Sequence, residues 1–432
     1  MLATPFLTDL DSRAAVKGSR DPLGIQPIWT RLGRQVIGNL TTVSDSVRDF
    51  TTTLLGYFFA ERVAADRGPG TELATFLKWE QLAAFARAHG NDDWGFRGTE
   101  RVRAALRDSS RVVLSADQQY QILSNQKIYG LWGLYTVPAR ASGLLDGDPP
   151  RLTPRANAFV ESNYLPVLRD AGFGDGRAII EILRKDRSPV DVEHTESKLI
   201  TAIARILDRR MRGAERDFYR EHLLYGGPDD RTGGRQRQLA ALLEPTLDQA
   251  NFAWSPGLVG ALAKEALAQE DPWVDLATRL SHIRTCETVT APVWGLFLHL
   301  LGLNDQPVEK LVARLREQWG PGVGTIAPEN FSALAPTLET IGEGVGARWI
   351  AIAETASRGD YAALVNLLLE QNRWVMGTRG AAPWVEIDGG KLRVRFRDED
   401  GALPTGAELP TLWRSPYFLE SLRSVARTLR EA

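Results

Sequence analysis

From Ile25 onward the apolar positions of the chain recur at helical spacing. Ile28, Leu32 and Val36 stand four residues apart, with Trp29 beside them and Arg31 and Arg34 on other faces. Asn39-Leu40-Thr41-Thr42 interrupts, and Ser44 or Asp45 is placed to cap the next helix. That helix carries Val47, Phe50, Leu54, Tyr57 and Phe58 as a broad apolar stripe, which makes it the centre of an N-terminal helical domain. Thr51-Thr52-Thr53 within the stripe reads as mid-helix threonines bonding back to carbonyls. Residues 72–89 supply Leu73, Phe76, Leu77, Leu82 and Phe85, Asn91-Asp92-Asp93 breaks the pattern, and 99–106 resumes it. Val112-Val113-Leu114 is a short strand, and the two helices before it are also compatible with a helix-turn-helix unit.

Residues 114–168 carry a different signal. Ser115 is positioned as a helix cap, and two short apolar segments follow, the second with Leu131, Trp132, Leu134 and Tyr135. Pro138 opens a further short segment ending at Gly143. Gly143-Leu144-Leu145, the turn-rich Asp146-Gly147-Asp148-Pro149-Pro150 and Arg151-Leu152-Thr153 then form a compact hairpin pattern. Pro154 follows in the first-turn position of a helix, with Thr153 as its cap.

Residues 176–375 read as a long helical series. The stretch 193–212 has Leu199, Ile200, Ile203, Ile206 and Leu207 on one side and Arg205, Arg209, Arg210 and Arg212 largely on another. Those cations suit a solvated face near a helix C-terminus, or phosphates. Residues 226–234, with four glycines, are the most loop-like segment and a candidate joint. Trp254, Trp273 and Trp294 fall in successive helical segments of an expected core, and 291–303 is apolar all round, as a central buried helix would be. The end changes period: Val385 and Ile387 alternate with Glu386 and Asp388, and after Gly389-Gly390 Leu392, Val394 and Phe396 alternate with Lys391, Arg393, Arg395 and Arg397. This is a hairpin on a two-glycine turn, followed by a last helix over 416–429. The expected organisation is mainly α and multi-domain: a helical domain over 1–112 whose residues 1–24 are a loose arm, a module with a hairpin over 113–175, a helical domain over 176–375, and the C-terminal β-hairpin with its helix over 376–432.

Bulk properties narrow the function only a little. A chain of 432 residues is too long for one ordinary core. The net charge is -2, so nucleic-acid binding would have to rest on local patches. Arginine outnumbers lysine 44 to 8, and guanidinium forks suit phosphates better than ammonium groups do. Cys286 is the only cysteine, which excludes an intrachain disulfide and any zinc site of several cysteines and fits a reducing cytoplasm. The first residues lack the basic-then-apolar form of a signal peptide, and the apolar runs 53–60 and 291–303 are too short to span a bilayer, so no membrane role is expected.

Candidate chemistry is sparse. Lys127, Arg140, Arg151 and Arg155 are the cations of the hairpin module available to phosphates, although Asp146 and Asp148 make its turn acidic. Arg235 and Arg237 follow the glycine-rich loop. Arg393 and Arg395 line the C-terminal ribbon, where they could lie along a phosphate backbone or pair across the strands with Glu386 and Asp388. Asp191 followed by Glu196-x-Lys198 has the residue types of a metal-dependent nuclease, but there the Glu-x-Lys lies on a strand, and here the residues after Pro189 are expected to run straight into a helix. The five histidines share no metal-ligand spacing, and His282 with Cys286 reads as packing before catalysis. Gly342-x-Gly344-x-Gly346 has neither the preceding strand nor the following Lys-Ser/Thr of a nucleotide loop. No catalytic residue, metal ligand or cofactor is assigned.

Over residues 114–168 the order helix, helix, short strand, turn, short strand, helix is that of a winged helix, and "GLL…RLTPRANAFVE" resembles the wing and following helix of that superfamily. That resemblance implies a helix docked in the major groove with the wing across the backbone, or the same fold used to contact protein. The Asp-Pro-Leu-Gly lead-in, the Thr-rich aromatic helix, the wing and the Trp-Arg-x-x-Tyr-Phe tail resemble uncharacterised bacterial proteins of phage-defence gene clusters. This likeness implies a non-catalytic subunit that binds DNA or joins other protein subunits, with partners supplying ATPase or nuclease activity. A nuclease using Asp191, Glu196 and Lys198 and a purely protein-binding adaptor are the alternatives.

Overall fold

A computed structural model of the chain describes residues 21–397 and 401–430. The arm expected over 1–24 lies outside the described residues except for its last four. The chain is mainly α-helical, with three small antiparallel sheets of two strands each among the described residues. It divides into two compact units. One is built from the chain up to Val36 together with Gln249–Tyr417, the other from Ile37–Asp248 with the chain from Phe418 onward. The boundaries expected at 112, 175 and 375 fall inside these units.

In the first unit, α1 (Ile25–Arg34) begins where the Asp21 carboxylate accepts from the amides of Ile25 and Gln26 at 2.8 and 3.0 Å. The second unit then opens with α2 (Val47–Arg67), which is capped by Ser46, not by Ser44 or Asp45: the Ser46 hydroxyl accepts from the Asp49 amide at 3.2 Å. Helix α2 is buried on every side from Val47 to Ala60, so its three threonines have no water to turn to. Each donates to the carbonyl four residues back, as expected. Against it lies α3 (Glu72–Asn91). Trp79, fully buried, donates its indole N–H to the Thr52 carbonyl at 2.8 Å, and Gly56 lets Phe76 approach so closely that a Cβ there would lie 2.5 Å from the ring. After α4 (Thr99–Asp108) the expected strand forms as β1 (Arg111–Ser115).

Ser115 ends this strand and caps no helix; its hydroxyl accepts from the Asp117 amide. The single turn α5 (Gln126–Tyr129) and α6 (Leu131–Ala141) follow, and Pro138 sits inside α6 and opens no new segment. Strands β2 (Leu145–Asp146) and β3 (Arg151–Leu152) then form the expected hairpin, with Leu145 opposite Leu152 and Asp146 opposite Arg151. Thr153 caps α7 (Pro154–Asn163) as expected, accepting from the Ala156 amide. Helices α8 (Leu165–Asp170) and α9 (Arg177–Leu183) lead to β4 (Arg187–Asp191). This strand was not legible in the sequence. Pro189 lies within it opposite Val113, tolerable because a sheet of two strands leaves one side of each strand unpaired. The helix expected over 193–212 is shorter, α10 (Ser197–Ile206), because Asp191 and Glu196 hold the preceding residues in a turn. Gly90 lets α3 meet α10, where a Cβ would come within 2.4 Å of Ala204. The unit continues with α11 (Gly213–Tyr219) and α12 (Arg235–Leu243).

The chain then returns to the first unit with α13 (Pro256–Leu267) and the 27-residue α14 (Val274–Leu300), whose C-terminal half is the buried apolar segment expected. Trp254, Trp273 and Trp294 are only half-buried; the fully buried indoles are Trp79 and Trp349. Helices α15 (Val308–Trp319), α16 (Pro328–Ser332), α17 (Ala335–Glu339), α18 (Val345–Arg358) and α19 (Tyr361–Thr378) complete the helical part. The C-terminal hairpin is as expected: β5 (Val385–Asp388) and β6 (Lys391–Val394) on the turn Gly389-Gly390, both glycines at positive φ. The last helix, α20 (Leu419–Arg430), starts three residues later than its pattern suggested and belongs to the second unit.

Candidate interaction surface on the second unit

The segment α5–α6 is pinned from beneath by buried polar groups of α3. Gln126 is fully buried and donates its amide to the Leu77 carbonyl at 2.9 Å and to Glu80 Oε2 at 2.8 Å. Glu80 Oε1 accepts from the Leu131 amide at 2.8 Å, so one carboxyl group ties α5 to the first turn of α6. Burial pushes the Glu80 carboxyl up to about 7, against the opposing pull of these donors. Only glycine fits at 130, since a Cβ would meet the Glu80 oxygens at 2.7 and 2.8 Å. Tyr135 is buried edge-on to Phe50, and its hydroxyl donates to Asp49 Oδ2 at 3.3 Å. Trp132 stacks on Tyr57 with ring centroids 5.1 Å apart.

With its inner face so fixed, the segment turns an apolar face to solvent. Ile128 and Tyr129 are each 53% exposed and Val137 is 65% exposed. At Gly133 α6 lies so close to α5 that a Cβ would come 2.3 Å from the Ile128 carbonyl oxygen. Sequence reasoning found the inward cluster of Leu131, Trp132, Leu134 and Tyr135 and missed this outward one. The only signal for it is the pair of glycines, Gly130 and Gly133, that shifts the helical phase between the two helices. On the hairpin side, Arg140 donates to the Gly147 carbonyl, and a groove of about 270 Å³ runs between Tyr57, Ala60 and Ala64 of α2 and Pro149-Pro150.

The expected phosphate-binding cations are in varied circumstances. Arg155 makes a two-pronged ion pair with Glu221, whose carboxyl it holds below the ordinary range. Arg237 lies over the Tyr225 ring at 4.1 Å, and Arg235 is the first residue of α12. Lys127 and Arg151 are exposed and form no ion pair among the described residues. Arg393 and Arg395 belong to the other unit, where they pair with Asp388 at 3.4 Å and Glu386 at 2.7 Å, the cross-strand arrangement weighed from the sequence. The loop 226–234 is ordered around Asp230, which accepts from the Thr232 amide and hydroxyl and from the Gly234 amide.

Asp191 and Glu196 are engaged within their own turn. The Asp191 carboxylate accepts from the amide and ring of His194, the Glu196 carboxylate accepts from the Asp191 amide at 2.7 Å, and Lys198 points to solvent from α10. Among the described residues no group of three or more His, Cys, Asp or Glu side chains is placed to hold a metal ion. Cys286 is fully buried and its thiol is pushed up to about 12 by that burial, so it is no nucleophile beside His282. No helix among the described residues is long and apolar enough to cross a membrane. Compared with protein-family models, curated proteins and solved structures, the chain matches none.

Proposed function

We propose that the chain is a non-catalytic scaffolding subunit that docks a partner protein on the outer face of α5–α6. The observation that carries this reading is the exposure of Ile128, Tyr129 and Val137 on a segment whose opposite face is rigidly anchored. Three of the six large hydrophobic side chains exposed among the described residues thus fall within ten residues of sequence, a concentration typical of contact surfaces and not of scattered exposure. The resemblance to proteins of phage-defence clusters agrees with a subunit of a bacterial defence or DNA-processing assembly whose partners supply ATPase or nuclease activity.

A second reading, DNA contact by the same module, is favoured by Lys127 and Arg151, which pair with no carboxylate among the described residues, and by Arg140 beside the hairpin. Cross-linking from a photoreactive residue at position 137 in the native cell separates the two. A discrete protein adduct, lost in Ile128→Asp, is the expected result. Absence of any adduct, together with salt-sensitive DNA retention that drops in an Arg140→Gln, Arg151→Gln double variant, would replace the first reading with the second.

A further inference from the structure

The first unit carries a cavity unrelated to the α5–α6 surface, of about 240 Å³, bounded by Trp29 of α1, by Thr290 and Trp294 of α14, and by Arg414 and Ser415. Its floor is rigid. Glu287, fully buried on α14, accepts from the amides of Arg414 and Ser415 and from the Tyr417 hydroxyl, the last two at 2.9 Å, and so fastens the segment 414–417 across the helix. Trp29 meets the ring of Tyr417 edge-on at 6.5 Å, which sets the plane of its indole.

We infer that this cavity binds a small aromatic carboxylate, its ring between the indoles of Trp29 and Trp294 and its charge on the guanidinium of Arg414. Three observations select that chemistry. The volume lies just below the usual range of ligand sites, room for one or two fused rings and too little for a nucleotide. Two half-buried indoles offer flat apolar walls. The charge left over is positive: Asp21, the acid at the rim, is already occupied by the amides of Ile25 and Gln26 and faces Arg379 at 3.6 Å. Arg414 gives only its backbone amide to Glu287, and its exposed guanidinium is in no ion pair among the described residues. Glu408, whose carboxyl Arg414 helps to hold below the ordinary range, is committed to the amide and hydroxyl of Thr405. A carboxylate therefore gains a two-pronged partner there, while an organic cation meets a like charge.

Titration calorimetry on the full chain, with indole-3-acetate, uncharged indole and tetramethylammonium as probes, tests this. Indole-3-acetate binds saturably at one site and at least about tenfold tighter than indole, the increment of one charge-assisted contact. Arg414→Gln removes that tenfold advantage and leaves indole unchanged; because Arg414 is exposed and keeps its backbone bond, the variant folds. Trp294→Leu weakens both. The inference is overturned by the absence of saturable binding into the millimolar range, by tighter binding of tetramethylammonium than of the carboxylate, or by an unaltered carboxylate affinity in Arg414→Gln.

Discussion

Arg87 of α3 holds Asp49 of α2 with Nη1 and Oδ1 2.7 Å apart, both side chains buried. The same guanidinium reaches Asp93 through Nε at 2.8 Å, and Asp93 in turn takes Arg209 at 2.9 Å. One cation thus joins the start of α2 to the end of α3 and to the turn after it. Removing it leaves the buried Asp49 carboxylate without a cation and leaves Asp93 to Arg209 alone. Arg87→Met lowers the unfolding free energy by about 3–5 kcal/mol. Arg209 is 77% exposed, and Arg209→Met costs about 0.2–1 kcal/mol. Urea unfolding of the two variants, compared with the parent chain, checks the contrast.

Glu80 makes stability depend on pH. Its carboxyl is raised from 4.5 to about 7 on folding, so the folded chain binds this proton more tightly than the unfolded one. The contribution is complete below about 4.5 and is lost as pH rises to about 7, a change of about 3 kcal/mol at most. Unfolding midpoints measured across this range fall with pH, and Glu80→Gln flattens that part of the curve.

Cys286 is buried on α14 beside Tyr417, and burial raises its thiol to about 12. Iodoacetamide therefore leaves the native chain unmodified at neutral pH, and one equivalent reacts once urea unfolds it. Rapid alkylation of the native chain, read by mass spectrometry, would contradict this account.

Ile128, Tyr129 and Val137 are exposed on the α5–α6 face, so changing them leaves folding alone. Val137→Asp shifts the unfolding free energy by about 0.5 kcal/mol or less. Partner capture, by contrast, is lost. A variant that loses capture only because its unfolding midpoint has collapsed counts against the docking surface.

Gly143 stands at φ +68°, where a Cβ would lie 2.6 Å from Pro228 of the glycine-rich loop. Gly143→Ala therefore strains the backbone and also pushes the loop away, a loss of about 1–3 kcal/mol. Thermal unfolding of this variant beside Gly389→Ala, whose Cβ would meet nothing, separates the crowding from the backbone strain that both share.

The elements that could be read from the sequence share one property: each is specified by residues close together in the chain. Helix α2 announces itself by its stripe, the turn Gly389-Gly390 by its two glycines, and α7 by Thr153-Pro154. Strand β4 could not be read, because its partner, β1, lies more than seventy residues earlier and Pro189 argues against a strand locally. On hydrophobicity alone Trp254, Trp273 and Trp294 read as core, whereas indoles at a surface keep one face wet.

The amino-acid order by itself determined a mainly helical chain with two hairpins, one on two glycines and one before Thr153-Pro154, since hydrophobic period and turn chemistry act over a few residues. Only the tertiary structure decided which cations meet carboxylates, that Arg155 goes to Glu221 and Arg395 to Glu386, and that Ile128, Tyr129 and Val137 face water. Those outcomes depend on groups brought together from distant parts of the chain, where burial and Coulomb attraction are set by the surroundings and not by the neighbouring residue.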